Sequence, residues 1–205
     1  MKNSKLYSKG GNIYNKYTSE NPIVKFMMKN FFKRVGSILD SVKISRVLDA
    51  GCGEGYLAQH IKDYSNELYV EGVDLSAEII EVARRLHPQI KFSVGSVYHL
   101  PYFDNSFDLV VCSEVLEHLE YPEKALEELK RVSKRYCIIT VPHEPFWRIA
   151  NIMRLSYLDK LGNTPGHIQH FNKKTLKKLL EKYFKEVEIE TSTLWLISLC
   201  KNEDN

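Results

Sequence analysis

The stretch CSEVLEHL, from Cys112 to Leu119, places two carboxylates and an imidazole at the end of an apolar run. On a helix, Glu114, Glu117 and His118 would lie at positions i, i+3 and i+4 and would share one face. Three kinds of chemistry fit such a face: ligation of a divalent metal, general base catalysis with a helping acid, or a polar wall for a cofactor. The choice among them depends on the elements that surround the face.

The composition is that of an ordinary globular domain, with 43% hydrophobic and 27% charged residues among 205. A net charge of only +3 does not favour a nucleic-acid partner. The N-terminal segment lacks the apolar core of a signal peptide, and no apolar run is long enough to cross a bilayer. We therefore expect a cytoplasmic protein without a transmembrane segment. The cysteines form no CxxC pair and are expected to be buried thiols: Cys52, Cys112, Cys137 and Cys200.

The order of predicted elements indicates the fold class. Residues 1–40 are expected to form a polar segment and a capping helix that starts at Asn21 and Pro22, and residues 41–205 the main domain. From Arg46 onward, short β-rich runs alternate with helical runs, which predicts a parallel sheet covered on both faces. Two closely spaced strands at the end predict a terminal hairpin. We expect an α/β fold: a doubly wound, Rossmann-like seven-stranded sheet, mostly parallel with one antiparallel C-terminal strand, and helices on both faces.

A glycine-rich turn, VLDAGCGEG, follows the first predicted strand. Gly51 and Gly53 allow the backbone to turn sharply and to approach a ligand closely. Asp49 and Glu54 make the turn acidic, which disfavours a phosphate and favours a cationic ligand. Asp74 ends the second strand, where a carboxylate can accept hydrogen bonds from both ribose hydroxyls. A nucleoside that carries positive charge instead of phosphates is S-adenosylmethionine, so these motifs predict it as the cofactor.

Four stretches carry a resemblance to a known family, in the expected order: VLDAGCGEG, GVDLS, LPYFDNSFDLVVCSEVLEHL and GHIQHF. Through them the chain resembles the class I S-adenosylmethionine-dependent methyltransferases, in the broad group that includes ubiquinone-biosynthesis-type O-methyltransferases. The resemblance covers roughly residues 46 to 200. It implies transfer of a methyl group from S-adenosylmethionine to a small-molecule acceptor, at a hydroxyl oxygen.

The resemblance also implies a set of cofactor contacts. These are Asp49, Gly51, Cys52 and Gly53 at the methionine part, Asp74 at the ribose, Leu75 on the adenine, Ser96 and Val97 along its edge, and Ser113 and Glu114 on the methionine wall. One position departs from the family pattern. Ser96 stands where relatives commonly carry an acid that bonds the adenine amino group, and a hydroxyl accepts such a bond more weakly than a carboxylate.

A metal site is one interpretation of the acidic-histidine face. Some relatives, including small-RNA 2′-O-methyltransferases, are thought to bind a divalent ion with a similar cluster. Here the candidate ligands are Glu114, Glu117 and His118, with His170 as the first choice of downstream ligand and His167 as the second. A metal would position a hydroxyl and lower its pKa.

A second interpretation needs no metal. His118 or His143 would act as the general base, with Glu117 as a neighbouring acid, because imidazole titrates near neutral pH. In a third interpretation, Glu117 and His118 only cap the turn that follows the cofactor wall. Two further function classes also stay open: a metal-assisted RNA 2′-O-methyltransferase and a regulatory protein that binds S-adenosylmethionine without catalysis.

Residues 143–171 are expected to form an acceptor lid inserted after the fifth strand. Phe146 and Trp147 begin an apolar helical pattern with basic residues interspersed, which suggests an aromatic, lipid-linked or anionic acceptor. With His167 and His170, they are the candidate substrate residues. The alternative is an extra helix packed on the core, as most such patterns are.

Overall fold

The computed structural model describes residues 16–202, and within them seven strands form one sheet in the order β3-β2-β1-β4-β5-β7-β6. The strands are β1 (Arg46–Ala50), β2 (Tyr69–Asp74), β3 (Lys91–Val94), β4 (Phe107–Ser113), β5 (Ser133–Pro142), β6 (Glu186–Ser192) and β7 (Trp195–Lys201). Strands β1 to β5 pair in parallel, and β7 is antiparallel to both of its neighbours. The predicted fold, including the terminal hairpin, is confirmed.

Within residues 16–202, six α-helices flank the sheet. They are α1 (Pro22–Ser41), α2 (Tyr56–Tyr64), α3 (Ala77–Leu86), α4 (Pro122–Val132), α5 (Phe146–Met153) and α6 (Lys173–Leu180). Alternate residues of each strand point to opposite faces. Val47 therefore packs in the core with α1, α2 and α3, whereas Leu48 packs in the core with α4 and α6.

The helix predicted at Asn21 and Pro22 is present. The Asn21 side chain accepts a hydrogen bond from the Ile23 amide at 2.9 Å, as an N-cap residue does. Further along α1, the ring of Phe31 lies edge-on to Trp195 of β7, with centroids 5.4 Å apart. The helix thus shares the core of the main domain. Residues 1–15 of the expected N-terminal polar segment lie outside the described residues.

The topology brings the predicted motifs to one edge of the sheet. β1 lies between β2 and β4 in the sheet. From the carboxyl end of β1 the chain continues to β2 on one side, and from the carboxyl end of β4 it continues to β5 on the other side. In open α/β folds, ligands bind at this point. The four cysteines are free and buried, as expected. Among the described residues, no helix is long and apolar enough to cross a membrane.

Candidate functional site

The glycine turn is tied to the end of β2 by backbone hydrogen bonds. The amides of Gly51 and Cys52 donate to the carbonyl of Val73 at 2.7 and 3.0 Å, and the Gly53 amide donates to an Asp74 carboxylate oxygen at 3.0 Å. Both glycines have positive φ angles, 80° and 53°. This backbone conformation is the physical reason for glycine at these positions.

Gly51 leads to a stability prediction, because a Cβ atom there would lie 2.4 Å from a methyl group of Val115. We expect Gly51→Ala to lower the free energy of unfolding by about 2 kcal/mol, from the positive φ and the steric conflict together. Thermal unfolding measures the change. Val115→Ala in the same chain should recover the steric part only, and equal stability of Gly51→Ala and wild type would contradict the prediction.

Asp49 is a buried carboxylate beside this turn. Its side chain is 1% exposed, and its Oδ2 atom has no hydrogen-bond partner. Burial, with a contribution from the negative charge of Asp74, raises its pKa to about 7. An incompletely bonded buried carboxylate normally has a ligand or a partner, so Asp49 fits a cofactor that presents positive charge at the glycine turn.

The residues predicted to contact the adenine are less well placed for it. Leu75 leaves 74% of its surface exposed directly after β2, as a platform for a flat ring would. The Ser96 hydroxyl already accepts a hydrogen bond from the Tyr98 amide at 3.2 Å. Val97 and Cys52 are 9% and 8% exposed and belong to the cores of the two faces, which leaves little of either side chain for a ligand.

The chain does not enter an α-helix after β4, so Glu114, Glu117 and His118 do not lie on one helical face. Glu114 adopts a left-handed conformation, with φ at 56°, and its amide donates to the Thr140 carbonyl of β5 at 2.9 Å. A three-residue 3-10 helix, Leu116–His118, follows. The Ser113 hydroxyl lies 2.8 Å from that of Thr140 and stays at the end of the sheet.

Glu117 and His118 nevertheless form a cluster, and its third member is His167. One potential ligand atom from each lies within 4.8 Å of the other two. Glu117 is 1% exposed, and neither of its carboxylate oxygens has a hydrogen-bond partner. Burial, and then the charge of Glu114, raises its pKa well above the usual value. The cluster therefore has an unpaired acid facing two imidazoles.

The two imidazoles are held in their neutral form. Burial, followed by the repulsion that a protonated His118 would exert, lowers the pKa of His167 to about 3. Partial burial likewise lowers the pKa of His118. The His118 Nδ1 atom lies 3.0 Å from the carbonyl oxygen of Gly166. Since a carbonyl only accepts, Nδ1 carries the proton, and Nε2 keeps a lone pair for a proton or a metal.

Two candidate histidines lie outside this cluster. His170, the first choice as downstream ligand, is exposed and has its Nε2 atom 3.0 Å from the Asn163 side-chain oxygen, so His167 takes its place. His143 follows β5, and its ring centroid lies 4.9 Å from that of Phe146. The spacing HIQH could not distinguish His167 from His170, because the turn at Gly166 decides which one faces His118.

A lysine from the N-terminal part of the chain contributes a positive charge to this site. Lys16 forms an ion pair with Glu114, and its Nζ atom lies 5.4 Å from the centroid of the Trp195 ring. Next to it, Tyr17 stacks on Tyr56 with centroids 5.1 Å apart. Burial, and then the negative charge of Glu114, raises the pKa of Tyr17. No motif marked Lys16, because its partner is 98 residues away in the sequence.

The two candidate aromatic residues of the predicted lid differ in their exposure and in their contacts. The Trp147 Nε1 atom donates a hydrogen bond to the Thr164 hydroxyl at 3.0 Å, and its ring stacks near His167 with centroids 6.4 Å apart. Phe146, in contrast, is 53% exposed. The backbone behind the lid is joined to the cluster, because the amides of Ile168 and Gln169 both donate to the Glu117 carbonyl.

Known proteins are similar to this chain in sequence and in fold. Residues 48–140 match the family model of a methyltransferase domain. The chain is 32% identical over 124 residues to a demethylmenaquinone methyltransferase of Thermotoga maritima, over 60% of this chain and 54% of that protein. It is also 32% identical over 158 residues to a norajmaline N-methyltransferase of Rauvolfia serpentina, over 72% of this chain and 49% of that protein. The chain thus spans about half the length of these curated relatives.

Among solved structures, the fold is similar to that of the magnesium protoporphyrin IX methyltransferase of Synechocystis with bound S-adenosylhomocysteine. The TM-score is 0.68 at 16% identity, over 98% of this chain and 96% of that one. The sheet order and the glycine turn define a Rossmann-like fold. The family model that matches residues 48–140 is that of a methyltransferase domain, the class that the sequence motifs predict.

Proposed function

We propose that this protein transfers a methyl group from S-adenosylmethionine to a small-molecule acceptor, at a hydroxyl oxygen. The observation that carries the proposal is the buried Asp49 carboxylate, which has a free oxygen beside a glycine turn and near Asp74. A cationic nucleoside would bring its positive charge to Asp49, approach the backbone at the glycine turn and place its ribose against Asp74. A phosphate-bearing nucleotide would meet two negative charges there.

S-adenosylmethionine, when bound, supplies a methyl group on a positively charged sulfur that leaves readily. Asp74 would hold the ribose, and Leu75 would support the adenine. Asp49 and Glu114 would face the positive charges of the cofactor. Each Asp74 oxygen now accepts one backbone hydrogen bond, from Gly53 or from Ser76, so each keeps a lone pair for a ribose hydroxyl.

The histidine pair would act on the acceptor. Methyl transfer mainly requires alignment of the two reacting atoms, and a hydroxyl acceptor must also lose its proton. His118 is neutral, and its Nε2 atom is available to take that proton. His167 is buried between the rings of His118 and Trp147. His167 and Trp147 would therefore form the wall behind the acceptor.

Lys16 provides a prediction about cofactor binding. Its ammonium group pairs with Glu114, the carboxylate proposed for the methionine end. We expect Lys16→Met to tighten S-adenosylmethionine binding by about 10-fold, because the competing positive charge is removed. Calorimetry measures the affinity. Lys25→Met removes the same charge from an exposed pair with Glu20 and should change nothing; weaker binding in Lys16→Met would contradict the prediction.

An acceptor screen tests the transfer itself. Purified protein and S-adenosylmethionine with a labelled methyl group would be incubated with hydroxylated molecules, amines and RNA. We expect label on a hydroxylated small molecule, and a loss of at least about 100-fold in His118→Ala, the size expected for a lost general base. His143→Ala should keep its activity. Transfer to nitrogen or RNA would overturn the proposed acceptor, and bound cofactor without any transfer would favour the regulatory interpretation.

The cluster favours a second candidate function, metal-assisted transfer. Glu117, His118 and His167 offer one acid and two neutral imidazoles at the spacing of a divalent site. A metal bound there would orient the acceptor hydroxyl and lower its pKa. In this case, magnesium, manganese or zinc should raise the melting temperature of wild type but not of His118→Ala. His170→Ala, outside the cluster, is the matched control, and identical responses of wild type and His118→Ala would end this candidate.

A further inference from the structure

The outer surface of the segment between β5 and α6 is apolar. The exposed fraction is 80% for Met153, 79% for Leu155 and 70% for Leu161. We call this surface the apolar face; its members are Phe146, Ile149, Ile152, Met153, Leu155, Leu158, Leu161 and Ile168. Single exposed apolar residues are ordinary, but eight within 23 consecutive positions are an unusual density, of the kind found at binding surfaces.

Helix α5 turns Asn151 and the half-buried Trp147 inward, and its other large apolar side chains stay exposed. Asn151 is 2% exposed, and its amide group donates to the Gly162 carbonyl at 2.8 Å and to the Thr164 hydroxyl at 3.2 Å. Trp147 donates to the same hydroxyl. A helix on a water-exposed surface normally has the opposite orientation, with its apolar side buried. These hydrogen bonds fix the orientation, so the helix cannot rotate its apolar side into the protein without breaking them.

The residues around the apolar face are mainly basic. From 146 to 173 the chain carries Arg148, Arg154, Lys160 and Lys173 against a single acid, Asp159. Lys173 begins α6, and its positive charge contributes, after burial, to the lowered pKa of His143, whose ring lies next to that of Phe146. Two copies of this surface would repel each other, which argues against a symmetric dimer. The same charges are complementary to anionic lipid headgroups.

We propose that the apolar face docks on the surface of an anionic phospholipid bilayer. The apolar side chains enter the boundary between headgroups and acyl chains, and the basic residues contact the headgroups, as in interfacial amphipathic helices. The docked segment is joined to the Glu117–His118–His167 cluster through the two backbone hydrogen bonds to Glu117. Docking therefore brings this cluster close to the bilayer surface. The inference does not depend on the proposed methyl transfer.

Flotation with unilamellar vesicles tests docking. We expect wild type to bind vesicles of phosphatidylglycerol and phosphatidylcholine mixed at about 1:2, and to bind pure phosphatidylcholine at least about 10-fold more weakly. Met153→Glu with Leu155→Glu should reduce binding to the anionic vesicles at least about 10-fold. Both side chains are exposed, so the melting temperature should not change.

Two controls separate docking from general stickiness. Phe103→Glu alters an apolar side chain that is 89% exposed far along the chain from the segment and should bind as wild type does. Lys29→Gln with Lys33→Gln removes two positive charges from α1, whereas Arg154→Gln with Lys160→Gln removes two beside the apolar face; only the latter should weaken binding. No binding by wild type, equal binding by Met153→Glu with Leu155→Glu, or a dimer that this variant disrupts would overturn the proposal.

Discussion

Asp49→Asn is expected to weaken S-adenosylmethionine binding by at least about 100-fold at pH 8, because it removes a buried negative charge opposite the positive charges of the ligand. The carboxylate is 1% exposed, and the side-chain oxygen without a partner would have to be satisfied by the ligand. Calorimetry on both proteins measures the loss. Asp63→Asn removes an equal charge from the exposed surface of α2 and should bind as wild type does. Unchanged affinity in Asp49→Asn would contradict its assigned role.

The same substitution should stabilise the protein without ligand at alkaline pH. The pKa of Asp49 is about 7 in the folded protein, above its ordinary value of 3.8, and burial is the main cause. The folded state therefore binds this proton more tightly than the unfolded state, and wild type gains stability as the pH falls from about 8 toward 4. Asp49→Asn lacks this dependence. Its melting temperature should exceed that of wild type at pH 8, and the difference should shrink at pH 5; a difference independent of pH would contradict the expected cause.

Asp74→Ala has the second large expected effect. The carboxylate holds the Gly53 amide and the Ser76 amide, each at 3.0 Å, and is proposed to bind the ribose as well. Hydrogen bonds to a charged group contribute about 1.5 to 3 kcal/mol each, so the loss of two to the ribose should weaken cofactor binding by at least about 100-fold. Asp74→Asn keeps one acceptor oxygen and should lose less. Full affinity in Asp74→Ala would contradict ribose binding at this position.

A second ligand separates the two carboxylates. 5′-Methylthioadenosine contains the adenine and the ribose but lacks the amino acid part and the positively charged sulfur. Asp74→Ala should weaken the binding of this compound and of S-adenosylmethionine alike. Asp49→Asn should weaken only the binding of S-adenosylmethionine. If both variants affected both ligands equally, the loss would come from a damaged glycine turn and not from the separate contacts.

The fold could be predicted because its signals are local. The alternation of strands and helices, the N-cap at Asn21 and the glycines after β1 each depend on neighbours in the sequence. The position of Asp74 at the end of β2 follows from the same alternation. These features place the cofactor motifs at one edge of the sheet whatever the rest of the chain does.

The arrangement of the residues around Glu117 and in the segment between β5 and α6 depends on contacts between distant parts of the sequence. It could therefore not be predicted from the sequence in detail. Glu114 does not share a helical face with Glu117 and His118, and its amide pairs with Thr140 on the neighbouring strand. His167, and not His170, reaches His118 because of the turn at Gly166. Lys16 enters from the far end of the chain. The inward position of Asn151 in α5 was also missed, since the apolar pattern alone predicts that a polar residue of this helix faces solvent.

Calorimetry of wild-type protein with S-adenosylmethionine at pH 8 tests the central claim most directly. We predict one binding site per chain with a dissociation constant of about 10 μM or below, and binding at least about 100-fold weaker in Asp49→Asn. An absence of measurable binding by wild type at a cofactor concentration of about 1 mM would contradict the claim.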